Sequence, residues 1–137
     1  MTAKELMLDD FVKTNDGLIV KVHAFARHGL IFLDESGCKH YVHMDFVEPI
    51  PLTPEILQKN SFEWYYGNGL VTFWSGFGKD NEDDIEIDFF TETDSIKIKV
   101  DMHGHYYRSD SIRTVHKLQH IMREFEIPIT IKYESLI

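Results

Sequence analysis

The strictest pattern in the chain is "SIKIKVDM", which sets Ile96, Ile98, Val100 and Met102 on one side and Lys97, Lys99 and Asp101 on the other. Alternation with period two is the mark of a strand buried on one face. "DIEID" repeats it, with Ile85 and Ile87 inward and Glu86 and Asp88 outward. With "FEWYYG", "LVTFWSGF", the continuation "HGHYY" and a late "PITIKY", this half predicts an antiparallel β-meander. The period changes at "TVHKLQHIMREF". At about 100° per residue, Val115, Leu118, Ile121, Met122 and Phe125 share one face, which predicts a helix over about 111–126 packed on the meander. His116, His120, Arg113, Lys117 and Glu124 fall opposite, flanked by Arg123, and predict a solvated polar face.

Before this half, the pattern is one of short strands broken by turns. "DFVKT" meets "LIVKVHAF" across Asn15-Asp16-Gly17, "GLIFLD" follows Arg27-His28-Gly29, and "KHYVHMDFV" follows Glu35-Ser36-Gly37. Asp-Gly between apolar runs is a strong hairpin signal. Four or five strands in about 40 residues predict a small bent sheet or an SH3-like barrel. "EPIPLTPEILQKN" then carries three prolines, which cannot sit inside a ladder. Thr53 suits an N-cap and Pro54 the first helical position, so a short helix ends near Asn60, pinned by Ile56 and Leu57. The reading is α+β: a barrel-like submodule over 1–50, a connector with a short helix over 51–61, and the meander with its helix over 62–137.

The order "ELMLDDFV", "VEPIPLTPEILQKNSF" and "VHKLQHIM" resembles a family of small proteins of gut anaerobic bacteria and their prophages. That family carries a "PIPLTPE-L-KNGF" phrase and a "VH-LQ" helix. The likeness spans nearly the whole chain, and Ser61 stands where the family usually has glycine. The family has no established activity, so the resemblance implies no cofactor and no catalytic residue. It implies a bacterial or phage-borne cytoplasmic setting.

Composition narrows the function classes. A chain of 137 residues with 43% apolar and 13% aromatic content can bury a core. No segment reaches the roughly 18 apolar residues of a membrane helix, and the start has no signal-peptide pattern, so no membrane association is expected. The net charge is −9. Acids exceed Lys and Arg over residues 1–100 and balance them over 101–137, which argues against nucleic-acid binding. Cys38 is the single cysteine, which excludes an internal disulfide, and His40 falls on its strand face as a would-be base.

Candidate chemistry falls into three groups. Asp101, His103 and His105 alternate onto one strand face, and His116 with His120 lie one helical turn apart; both spacings can chelate a metal. The zinc-protease pattern requires glutamate after the first histidine, where this chain has Lys117. The strand pair and the helix pair both face away from the core, so their convergence would need a homodimer. The acidic run from Asp80 to Asp94 lacks the glycine and glutamate of a calcium loop, since those positions hold Ile85 and Thr91. It includes Asp80, Glu82, Asp83, Asp84, Glu86, Asp88, Glu92 and Asp94, which could together imitate a phosphate backbone. Among the aromatics, Phe62, Trp64 or Tyr65, and Phe73 are assigned to the core, while Trp74 and Phe77, beside Gly76 and Gly78, are expected on an exposed loop. No phosphate loop and no G-x-S-x-G elbow occur. The expected function is that of a non-enzymatic accessory protein binding a basic protein partner through Trp74, Phe77, Asp83, Asp84, Glu86 and Asp88. The alternatives are a metal-dependent enzyme and an acidic DNA mimic.

Overall fold

A computed structural model describes all 137 residues and shows an α+β chain of three antiparallel sheets and two α-helices. β1 (Phe11–Thr14) and β2 (Ile19–Lys21) form the expected hairpin, closed through Gly17 at φ 87°. A left-handed residue is needed there, and glycine adopts it without strain. "LIVKVHAF" does not continue as one strand. The Val22 N–H donates to the Asp10 carbonyl at 2.9 Å, whereas the His23 N–H donates to Ile31 at 2.9 Å, so the chain changes sheets at that corner. The second sheet runs β3 (Ala24–Ala26), β4 (Gly29–Leu33), β5 (Lys39–His43) in that spatial order. "KHYVHMDFV" divides too: a 3-10 turn over Met44–Phe46 lets β6 (Val47–Glu48) return to pair with β1.

Leu6, Val12, Val20, Val22, Leu30, Met44 and Val47 form a small core in this half. The SH3-like barrel expected from the sequence is not formed: the two three-stranded sheets remain separate and open. Strands of two to five residues are too short for the continuous staggered pairing that closure requires. Alternation in β1 has a further consequence. Val12 enters this small core, but Phe11 enters the large core of the other half. One short strand is thus a wall for both.

The connector is anchored as the sequence indicates. The Thr53 hydroxyl accepts from the Ile56 N–H at 3.4 Å, Pro54 opens α1 (Pro54–Gln58), and Ile56 and Leu57 are buried. Upstream, Pro51 bridges to Thr114, the Leu52 N–H donates to the Arg113 carbonyl at 2.9 Å, and the Val115 N–H donates to Ile50 at 2.9 Å. The connector therefore satisfies one of the free N–H groups at the start of α2 (Val115–Glu124).

The meander runs β7 (Glu63–Gly67), β8 (Leu70–Phe77), β9 (Asp83–Phe90), β10 (Ser95–Met102) and β11 (His105–Ser109), and each strand pairs with its sequence neighbours. Its inner side supplies Phe73, Ile85, Ile87, Ile98 and Val100 to one core with Val115, Leu118, Ile121 and Met122 of α2. The helix is shorter than the periodicity predicts, because the residues before Val115 are extended and held by the connector. Phe125 is half-buried rather than enclosed. "PITIKY" forms no strand: Ile131 enters the core, as does Ile127 just before this segment, Ile129 packs against that core, and the Lys132 N–H donates to the Asn60 side chain at 2.9 Å. A 3-10 turn over Tyr133–Leu136 follows.

Leu118 is fully buried and its neighbour Lys117 is exposed. Leu118→Ala is expected to lower the unfolding free energy by about 3 kcal/mol. Lys117→Ala should stay within about 0.5 kcal/mol. Urea denaturation of both variants checks this, and equal midpoints would remove α2 from the core.

Candidate functional site

Part of the polar face of α2 is covered rather than solvated: Lys117 and Glu124 are exposed as the sequence predicts, but His116 is buried and His120 half-buried. His116, Gln119, His120 and Arg123 stand at helical spacing on that face and meet the segment leading into β1. Asp10 is the centre of the contact and its side chain has 0% exposure. Its carboxylate accepts from Arg123 Nη1 at 2.6 Å, sits 2.6 Å from His120 Nε2, and accepts from the Met7 N–H at 2.8 Å. Gln119 adds two main-chain bonds, accepting from the Phe11 N–H at 2.9 Å and donating to the Asp9 carbonyl at 3.2 Å. The helix is therefore packed on two sides, by apolar contact with the meander and by a polar seam with the N-terminal half.

His116 is also enclosed, at 2% exposure, and neither ring nitrogen has a hydrogen-bond partner. Its ring meets that of His120 edge-on, with centroids 5.7 Å apart. Burial holds its pKa below the usual histidine value. Asp10 and, more weakly, Glu5 pull the other way, while His120 and Lys117 reinforce the depression. The sequence indicated the two histidines but gave no sign of Asp10. Its importance comes from a contact 110 residues away along the chain.

The proposed metal ligands are not brought together. His103 and Gly104 form the tight turn between β10 and β11, at φ 53° and 80°, which ends the alternation that would have aligned Asp101, His103 and His105. His103 and His105 are exposed, whereas His116 and His120 are committed to the Asp10 seam. No group of three or more His, Cys, Asp or Glu side chains is placed to hold a metal ion. Cys38 is exposed in a turn. His40 turns to Asp34 at 2.8 Å and stacks on Phe32 rather than serving the thiol.

The expected partner surface is also rearranged. Trp74 and Phe77 lie within β8, not on a loop. Phe77 is in the core, and Trp74 is half-buried with its indole N–H donating to Asp84 at 3.2 Å. Asp83 is buried and accepts from the His103 N–H at 2.9 Å, anchoring the neighbouring turn. Asp88 is buried and accepts from the Thr72 hydroxyl at 2.8 Å. Glu86 and Asp88 share Lys99, at 3.2 and 3.7 Å. Burial, then the charge of Asp88, raise the Glu86 pKa, and Lys99 offsets part of that rise.

Three consecutive exposed aromatics are instead on β7, where Trp64, Tyr65 and Tyr66 are 51%, 61% and 67% exposed. β7 is the first strand of the meander and has only β8 beside it. The tight turn at Asn68-Gly69, with φ 53° and 76°, makes Gly67↔Leu70 the closing hydrogen-bonded pair. Alternation then turns the main-chain groups of Trp64 and Tyr66 away from β8, toward the open edge. A sequence signal existed: the opening strand of a meander is an edge unless a later element covers it. Next to this edge, Tyr65, Gly67, Leu70, Thr72, Glu86 and Asp88 line a shallow depression of about 300 Å³. A larger open groove of about 1000 Å³ lies between the β1–β2 hairpin, the end of α2 and the C-terminal residues.

No helix is long and apolar enough to cross a membrane. Comparison of the chain with protein-family models, with curated proteins and with solved structures gives no match.

The seam gives two measurable consequences. Asp10→Ala leaves Arg123 without its counter-charge and His120 without its hydrogen-bond partner at the edge of the interior. It should cost about 3 kcal/mol, the lower end for a broken buried pair because both partners retain some solvent contact. A loss under about 0.5 kcal/mol in urea denaturation would make the pair equivalent to a surface one. His116 has a depressed folded-state pKa, so the unfolded chain takes the proton first as pH falls. Its contribution is complete above about pH 6.5 and is lost progressively below it. His116→Leu should therefore match or exceed the parent in stability near neutral pH and lose less between about pH 7 and pH 5.5. Parallel pH slopes for the two proteins would show that His116 is not the group titrating.

Proposed function

We propose that this chain is a bacterial or phage-associated accessory protein that works by holding another protein, and that β7 is the surface it uses. The observation that carries the reading is the run of three exposed aromatic residues on a strand with one open edge. Aromatic side chains present large contact area at small entropic cost, and interfaces draw much of their affinity from such anchors. Folded proteins usually protect a sheet edge with charge, proline, a bulge or a covering element. β7 has none of these between Trp64 and Tyr66, so the edge is kept bare against a general pressure to close it. The charge of −9 favours a basic partner and an association that weakens as salt rises.

The other readings find less support. Asp83 and Asp88 are buried, and Lys97, Lys99 and Arg108 interleave with the remaining acids on the outer side of the meander. A surface of that kind does not present the continuous carboxylate rows that mimicry of a phosphate backbone requires.

Alanine at Trp64, Tyr65 and Tyr66 together removes the anchors, all more than half exposed, and takes from the core only the contact of the Trp64 ring with Phe73. The triple variant should keep the parent's circular dichroism. It should lose capture of the partner from a lysate of a bacterium carrying the gene, and weaken the purified partner's binding by about 2 kcal/mol or more, roughly thirtyfold. Undiminished binding by a folded triple variant would move the interface off β7.

A further inference from the structure

The depression beside β7 specifies more about the partner. This step rests on the reading that β7 is the binding surface. We infer that β7 receives an extended segment of the partner as a sixth strand, and that an arginine of that segment reaches over Gly67 toward Glu86 and Asp88.

Three observations combine. First, an incoming strand finds the main-chain groups of Trp64 and Tyr66 already turned to the edge, so its backbone can continue the ladder. Side chains of such a strand alternate between the inner side, beside Trp64 and Tyr66, and the outer side, beside Glu63, Tyr65 and Gly67. Second, the outer side is open at one place only along β7. Gly67 has no side chain, and a Cβ built there would meet nothing within 4 Å. A side chain of the added strand can therefore lie across Gly67 into the depression between β7 and β9.

Third, what it would meet there is acidic. Glu86 and Asp88 line the depression, and Glu92 reaches to 3.9 Å from the Cβ position of Gly69. Two cations answer them: Lys99 is shared by Glu86 and Asp88, and Lys97 lies 5.3 Å over the Phe90 ring. The corner keeps a net negative charge and favours a cation. The Asp88 carboxylate leans over β8 to the Thr72 hydroxyl, which places it about two strand spacings, ~10 Å, across from the added strand and in register with Tyr65, two residues along from Gly67. An extended arginine with its hydrogen bond spans that distance more readily than the shorter lysine. Its planar guanidinium can also stack on the exposed ring of Tyr65. A second copy of this chain is the less suitable occupant. It would bring another −9 charge and, at β7 itself, a glutamate and no cation.

The test uses the full chain and a short fluorescein-labelled peptide of alternating threonine and valine with one central arginine. Saturable binding by anisotropy is expected, with slowed amide exchange at Trp64 and Tyr66. Replacing the arginine by citrulline should weaken binding at least about tenfold. Gly67→Val should do the same while leaving the melting temperature unchanged. Tyr65→Thr provides a second variant at an exposed position should valine disturb the turn. Equal binding of the arginine and citrulline peptides would overturn the arginine assignment. Absence of slowed exchange at Trp64 and Tyr66 with bound peptide would overturn strand addition. Both failures are compatible with β7 holding a partner in another way, since only the aromatic triple variant tests that. A peptide-free dimer with its β7 amides protected would assign the edge to a second copy and overturn the proposal.

Discussion

A carboxylate without solvent contact must be compensated where it stands, and Asp10 dictates much of this architecture by that requirement. Its partners, Arg123 and His120, are on α2, and Gln119 from the same turn bonds the main chain on either side of it. These contacts fix the rotation of α2 about its axis. Once the polar face is held against the N-terminal half, Leu118, Ile121 and Met122 must face the meander. The Ile50–Val115 bond fixes where the helix starts. The two halves are joined less by the proline connector than by a helix that each of them covers on one side.

The parts of the fold legible in the sequence are those governed by local periodicity. The β8–β11 meander, the Thr53–Pro54 helix start and the apolar stripe of α2 all follow from neighbouring residues. The misreadings involve contacts at long range. His116 and His120 were placed correctly on the helix but given water as a neighbour, because nothing local announces the approach of Asp10. The N-terminal strands were counted nearly right, yet their division between two sheets depends on the corner at Val22 and the turn at Met44. "PITIKY" has the composition of a strand, but it pairs with no sheet edge and its isoleucines pack as loop residues instead.

The candidate site shows the same division. Alternation correctly separates the inner and outer residues of the meander, including Ile85 and Ile87 against Glu86 and Asp88. It cannot tell an edge from a centre, since a strand with one neighbour and a strand with two have the same period. Trp74 was expected to be free and is held by Asp84, while Trp64 and Tyr65, one of them assigned to the interior, both stand at the border. Position in the strand order, rather than residue type, decides which aromatics meet solvent.

The bare edge of β7 also bears on how the molecules behave in a crowd. Edges of this kind invite pairing between identical chains, and what keeps copies apart here is mutual repulsion from a strongly negative surface. That protection vanishes near the isoelectric point of about 5.2. The same acidification favours the unfolded chain, which takes the His116 proton more readily than the buried ring does. Discharge of the surface and weakening of the interior thus coincide, so mild acid acts on this protein as a colloidal hazard before it acts as a denaturant.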